Sequence, residues 1–339
     1  MKKIQLSIII CAIPLLFNGG RLTAQEKLHY WSDSETYLQA QASYIFDEAY
    51  KVLSAHPPGT VVGSERRLAL ASLDALMHDT RLDNGTAFMS FMNQIYSNIA
   101  LELRKNKPTG KTIRIFRLYD HGFILQTSSV TIAIDMIRGG RTDNPFVNET
   151  LIHSIVEQCD ILFITHAHSD HADPVVAKMF CDQGKQVIAA EDIWKKADIP
   201  IHIIRGKDMI RESIPLQARN TALTVHVFPG TQGNVLNNVY LITLPEGQTI
   251  MHTGDQDFSE DLLAKAGAHK IDILFVQCWM LPMDQFVAGI KPALVITGHE
   301  NEMLHTIDHR EAYWLTFKRM SGVKVPYLIM AWGESYTTP

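Results

Sequence analysis

The feature that most constrains this chain is a buried-strand signature that runs directly into a cluster of metal-ligating side chains. Ile161-Leu162-Phe163-Ile164 is a short apolar run of the kind that forms a strand covered on both faces. Thr165 ends it, and His166-Ala167-His168-Ser169-Asp170-His171 follows at once. His166 and His168 flank one alanine, so a turn there points both imidazoles into one space. Asp170 and His171 can face a second point nearby. Imidazole and carboxylate ligands suit zinc, with manganese or iron as alternatives, and the cluster suits one or two divalent ions. The chain has 15 histidines, so a chance His-x-His would be unremarkable. A third His and an Asp at fixed offsets behind a buried strand make the metal reading the stronger one. Histidine ligates as the neutral imidazole, which places assembly of the site near or above neutral pH.

The chain around this cluster changes texture once. From about Ser34 to Lys105 it reads as helical. Tyr37, Ala40, Tyr44 and Ile45 recur at helical spacing, Ser64 is the expected N-cap before Arg66 to Met77, and a third helix is expected from about Thr86 to Leu103. Asn106-Lys107-Pro108-Thr109-Gly110 marks a boundary. Beyond it come short apolar strands separated by turns and helices. Expected strands are Ile113–Leu118, Gly122–Gln126, Val130–Ile134, Val187–Ala190, His202–Ile204, Leu223–Phe228, Asn238–Leu244, Thr249–His252, Ile273–Val276, Leu294–Thr297 and Tyr327–Ala331, with helices over Asn148–Gln158 and from Pro174. That alternation is α/β, and so many strands call for two sheets.

Lys2 and Lys3, the apolar run Ile4–Phe17 and the small residues around Leu22-Thr23-Ala24 have the form of a cleavable export signal over residues 1–24. The run is short of the roughly 20 apolar residues that span a bilayer, so no stable membrane anchor is expected after its removal. The expected organisation is therefore a signal at 1–24, a helical segment at 25–110 and a catalytic domain at 111–339, with a periplasmic or extracellular destination. Removing Lys2, Lys3 and Arg21 moves the formal charge from −5 to −8 (28 basic against 36 acidic residues), and no Lys/Arg cluster argues for a nucleic-acid partner. Cys159, Cys181 and Cys278 are then an odd number at irregular spacing, which is no disulfide framework.

His-x-His-x-Asp-His at a strand end resembles the hallmark of the metallo-β-lactamase superfamily. Further matching pieces appear in order from about Thr112 to the C-terminus. Tyr119-Asp120-His121-Gly122-Phe123-Ile124-Leu125 and Thr131-Ile132-Ala133-Ile134-Asp135 look like the opening strands of its ascorbate-6-phosphate lactonase-like branch, although Met136 stands where that branch has proline. The resemblance implies a four-layer αββα sandwich and a supporting role for Asp135 behind the metal loop. Thr253-Gly254-Asp255 resembles the Gly-Asp turn whose carboxylate bridges two metals, and Thr297-Gly298-His299 the last metal strand. The implied ligands are His166, His168, Asp170, His171, Asp255 and His299. One piece departs from the pattern. A further histidine is usual between the metal loop and the Gly-Asp turn, and here Phe228-Pro229-Gly230-Thr231-Gln232-Gly233 places Thr231 or Gln232 there. His226 is close, but it lies within an expected strand.

The resemblance implies a hydrolase that uses metal-activated water on a small-molecule lactone, phosphoester or related ester or amide. Asp170 would orient that water and help carry its proton. His121 would line the pocket and hold a substrate oxyanion, a packed core histidine being the plainer alternative. Trp279, Met280 and Met283 are candidates for an apolar wall, and His305 and His309 for surface or wall positions. Two other classes stay open: a metal- or ligand-binding protein without turnover, and a di-iron redox protein. The oligomeric state is equally open, a homo-oligomer included.

Overall fold

The computed structural model describes residues 30–141, 143–191, 193–194, 199–204 and 209–339; the export signal expected at 1–24 lies outside them. Three helices come first: α1 (Ser34–Ala55), α2 (Ser64–Met77) and α3 (Thr86–Leu103). Asp33 starts α1 by accepting from the Thr36 N–H at 3.1 Å. Gly63, not Ser64, is the N-cap of α2. The Ser64 hydroxyl turns instead to the neighbouring Glu65 carboxylate, so Ser64 sits inside the first turn.

The remaining chain forms two seven-stranded sheets. One contains β1 (Arg114–Arg117), β2 (Phe123–Gln126), β3 (Thr131–Ile134), β6 (Ile161–Ile164), β7 (Gln186–Ala189), β8 (His202–Ile203) and β16 (Ser335–Thr337), in the order β16-β1-β2-β3-β6-β7-β8. The other contains β9 (Ile210–Leu216), β10 (Thr221–Gln232), β11 (Val235–Thr243), β12 (Thr249–His252), β13 (Ile273–Gln277), β14 (Leu294–Gly298) and β15 (Tyr327–Leu328), in the order β15-β14-β13-β12-β11-β10-β9. A small ribbon pairs β4 (Gly140–Arg141) with β5 (Asn144–Pro145). In each sheet four strands, from the middle to one edge, run parallel: β3, β6, β7 and β8 in one, β12, β13, β14 and β15 in the other. Parallel strands carry their loops to one edge, and both sheets present their carboxyl ends there.

Strand alternation explains the layers. On β6, Ile161 and Phe163 face the opposite sheet, where they join Ile132, Ile134, Tyr240, Ile242, Phe275 and Ile296 in one buried core. Phe123 and Phe275 meet across it with centroids 4.4 Å apart. Leu162 and Ile164 point the other way, into the core under the helices. Each such buried aliphatic side chain contributes about 1.5–3 kcal/mol. The outer helices are α4 (Glu149–Val156), α5 (Pro174–Asp182), α6 (Glu260–Ala266), α7 (Met283–Ile290) and α8 (Tyr313–Met320). Helix α5 lies on β6 and β7, and α6 on β10, with α7 and α8 beside it. The αββα sandwich implied by the motifs is thus the observed architecture.

The N-terminal helices are built into this body. Helix α3 packs on α4 and α2 on α8, and Phe46, Phe88 and Tyr96 share a core with Phe116, Tyr119 and Trp332. Arg66 is buried in a two-pronged pair with Glu334, both N–O distances 2.6 Å, and donates to the Ile329 carbonyl at 2.8 Å. The three cysteines of the described residues are free thiols.

Candidate metal centre

Each candidate ligand sits at the carboxyl end of a strand, held there by a specific neighbour. Asp135 follows β3 in the left-handed region (φ 46°) and accepts from the Thr165 N–H at 2.8 Å and the Thr165 hydroxyl at 2.7 Å. The same carboxylate lies 2.8 Å from His171 Nδ1. It therefore fixes the ring so that Nε2 faces the centre, a carboxylate–histidine arrangement common behind metal ligands. The loop after β6 closes when the Ala172 N–H donates to the His168 carbonyl at 2.9 Å. Asp173 then caps α5 by accepting from the Val175 N–H at 2.9 Å.

Across the sandwich, β12 ends in a turn that only glycine fits. Gly254 has φ 55°, and a Cβ there would fall 2.2 Å from Asn237 Oδ1 and 2.8 Å from Thr165 Cβ. Asn237 secures the turn by accepting from the Asp255 N–H at 3.1 Å and donating to the Thr253 carbonyl at 2.9 Å. Asp255 thus enters the centre fully buried. His299 follows β14 with φ 75°; its N–H donates to the Asp120 carbonyl at 3.0 Å, and its Nδ1 lies 2.8 Å from Asp120 Oδ1. Burial pushes the Asp120 carboxyl up to about 7 against the pull of His299.

The inward-facing atoms converge. His171 Nε2 is 3.3 Å from His299 Nε2, 3.2 Å from Asp170 Oδ2 and 3.2 Å from Asp255 Oδ1. His299 Nε2 is 3.2 Å from Asp170 Oδ2 and 3.4 Å from Asp255 Oδ2. Ligand atoms around a tetrahedral ion with bonds of ~2.0–2.1 Å stand roughly 3.3–3.4 Å apart. His171 Nε2, His299 Nε2 and Asp170 Oδ2 therefore stand at tetrahedral spacing for one divalent ion, and Asp255 turns one carboxylate oxygen to each imidazole. Both Asp255 oxygens are buried without an in-line hydrogen bond, as expected of atoms that await a cation.

The second group is less complete. His166 Nε2 lies 3.1 Å from His168 Nδ1 and 3.8 Å from Asp255 Oδ2, which makes three corners. The position where a fourth is usual holds no ligand: Thr231 is exposed, and Gln232 lines the cleft as an amide. His226 does not replace it. Its ring packs against His269, centroids 4.8 Å apart, on a partly exposed face of β10.

Charges within the cluster oppose one another. Burial lowers His171 and His299, but Asp255 and Asp170 around His171, and Asp120 and Asp255 around His299, outweigh it and hold both well above the usual histidine value. Burial, reinforced by His171, drives His166 down to about 3. Asp255 is raised by burial but held well below the carboxylate range by His171 and His299.

A cleft of about 460 Å³ opens onto this centre, lined by His168, Asp170, Asp255 and His299 at its base and by Trp279, Glu302, His305 and His309 on its walls. Trp279 stands edge-on to His299, centroids 4.1 Å apart. Met280 and Met283 are buried in the core and take no part in the wall. His121 also departs from expectation: it is fully buried and does not line the cleft, so it cannot meet a substrate oxyanion there. The rest of the predicted set is brought together. Sequence reasoning missed Asp120, Asn237 and His252, whose roles depend on contacts with distant parts of the chain. His252 accepts from the Gly254 N–H through Nδ1 at 3.1 Å, so Nε2 carries the proton and donates to the His121 carbonyl at 3.1 Å.

The comparison with known proteins agrees with this geometry. A family model described as beta-lactamase superfamily domain matches residues 118–295, which include the strand ends that carry Asp135, His166 to His171 and Asp255 and stop just short of His299. The chain belongs to the beta-lactamase superfamily. Within the superfamily it is similar to a UPF0173 metal-dependent hydrolase of Thermoplasma acidophilum, 26% identical over 181 residues that cover 50% of this chain and 77% of the relative. It is also similar to a UPF0173 metal-dependent hydrolase of Thermodesulfovibrio yellowstonii, 25% identical over 166 residues, 42% of this chain and 58% of the relative. Among solved structures, Igni18, a metallo hydrolase from the archaeon Ignicoccus hospitalis, shares the superfamily fold at 16% identity with a TM-score of 0.51, over 68% of this chain and 99% of that one.

Proposed function

We propose that this chain is an exported metal-dependent hydrolase that acts on a small-molecule lactone, phosphoester or related ester or amide. The observation that carries this reading is the convergence of His171, His299 and Asp170 at tetrahedral spacing, with Asp255 turning one oxygen to each imidazole, on the floor of an open cleft. Two relatives named as metal-dependent hydrolases support it. Zinc suits the imidazole and carboxylate donors best, with manganese or iron as alternatives. Such an ion supplies Lewis acidity and lowers the pKa of water to about 7.

The chain's own residues supply the rest. The Asp170 side chain is 21% exposed, unlike the other three ligands, so it touches both the cluster and the cleft. It is the carboxylate placed to orient a nucleophilic water and take its proton. Trp279 offers an apolar surface against which a ring or acyl group can lie. Glu302 accepts from His305 at 2.8 Å on the opposite wall, placing a polar pair beside the leaving group's exit. The basic start and apolar run of residues 1–24 support export, with 25–110 as a helical segment and 111–339 as the catalytic part. Among the described residues no helix is long and apolar enough to cross a membrane.

The test is turnover by the zinc-loaded protein of a panel of lactones, phosphodiesters, aryl esters and β-lactams. Lactone or phosphoester turnover that Asp170→Asn abolishes supports the assignment. No turnover across the panel by a metal-loaded protein contradicts it and favours the binding-protein alternative.

A further inference from the structure

Two buried histidines stand side by side behind the candidate centre, and they differ in one respect. His252 has both ring nitrogens engaged, one with the Gly254 N–H and one with the His121 carbonyl. His121, whose ring centroid is 4.3 Å from that of His252, has neither nitrogen in a hydrogen bond although it is fully buried. An imidazole buried without partners loses its hydration uncompensated, and such groups are rare in native folds. Asp255 Oδ1 stands 3.8 Å from His121 Nδ1, beyond hydrogen-bond reach. His121, His171 and Asp255 each offer a ligand atom, and these three atoms lie within 4.8 Å of one another.

The ring's place is also reserved by its surroundings. Gly298 packs against it, and a Cβ there would fall 2.3 Å from His121 Cδ2 and 2.6 Å from Arg117 Nη1. Any larger residue before His299 would push the imidazole out. The His121 ring stands 6.1 Å, centroid to centroid, from both His171 and His299, facing the same space from beneath.

We propose that His121 is a ligand of the metal centre, entering from the inner wall on the side of His171 and Asp255. This inference rests on the metal-centre reading given above. It gives this chain an extra imidazole in place of the one absent at Thr231 and Gln232, but on the His171 side of the centre instead of the His166 side. A hydrogen-bond role towards Asp255 is the rival, and the two separate by chemistry. Glutamine at 121 keeps an N–H donor but is a poor zinc ligand.

The experiment is zinc-edge X-ray absorption on the full mature protein loaded with one zinc ion per chain, with zinc affinity measured by chelator competition in wild type and His121→Gln. Three imidazoles around the ion in wild type, and a loss of affinity greater than about 100-fold in the variant, are the expected results. Two imidazoles in wild type overturn the inference and leave the metal-centre reading intact, as does a variant that binds zinc within a few-fold of wild type. A wild-type protein that takes up no zinc, manganese or iron removes both. If His121→Gln does not fold, the wild-type imidazole count decides alone.

Discussion

Asp74 on helix α2 accepts from Asn301 Nδ2 at 2.8 Å, only two residues beyond His299. The same carboxylate accepts from the Tyr313 N–H at 2.8 Å and the Trp314 N–H at 3.1 Å, capping helix α8, whose own N-cap residue, Ala312, has no side chain able to do so. One carboxylate thus ties both ends of the His299 loop to the N-terminal helices. Asp74→Ala would leave an amide and two helix N–H groups buried without partners, at a cost of about 2–4 kcal/mol. A shift in the denaturation midpoint of that size, coupled non-additively to Asn301→Ala in a double-mutant cycle, is the expected result.

Asp135 acts on the centre through His171 and through Thr165, whose hydroxyl lies 3.1 Å from His166 Nδ1. Asp135→Asn keeps the shape of the side chain but weakens the 2.8 Å contact that orients the ring. Metal affinity should fall about 10–100-fold, measured by chelator competition, while the fold holds. Unchanged affinity would show that Thr165 and the loop alone orient His171.

The three-cornered group around His166 and His168 invites a gain of function. Gln232 lines the cleft beside His168 and Asp255. Gln232→His should therefore raise the bound metal from about one ion per chain to about two. Stoichiometry by elemental mass spectrometry reads this directly, and no change would mean that the backbone at 230–233 holds the new ring away.

Without metal, His171 and His299 are held well above the usual histidine value by the surrounding carboxylates, despite burial. Protons and an ion therefore compete for these ring nitrogens. Their raised pKa stabilises the metal-free fold below the unfolded histidine value and is lost as pH rises through the folded value. The depressed Asp255 works the other way, with its contribution lost as pH falls through the folded value. Metal affinity should accordingly weaken on acidification, with protons released as the ion binds. Calorimetry in buffers of different ionisation enthalpy measures that release; zero would contradict the charge assignment.

Much of this was legible from residue order because the chemistry sits at strand ends. An apolar run such as Ile161–Ile164 announces a buried strand, and His166 to His171 must then emerge at its carboxyl edge. Gly254 announced a turn in the same way. Long-range pairing was not legible: nothing in Asp120 predicts its contact with His299, and nothing in Ala312 points to Asp74. Two of the four edge strands, β9 and β16, were also missed, while β8 and β15 were expected. Pro215 broke the pattern of β9, yet a proline is tolerated there because β9 lies at the rim of its sheet. His121 read as a pocket residue because its neighbours in sequence resemble a site, whereas the packing of Gly298 places it behind that site.

The most direct test of the central claim, that His171, His299, Asp170 and Asp255 hold a metal ion, is the metal content of the purified mature protein, with Asp255→Ala alongside. Asp255 faces both groups, at 3.2 Å from His171 Nε2 and 3.8 Å from His166 Nε2, so its loss should empty both. The account predicts about one tightly held divalent ion per chain in the wild type and none in the variant. A wild-type chain that holds no ion after resupply with zinc, manganese and iron would contradict it.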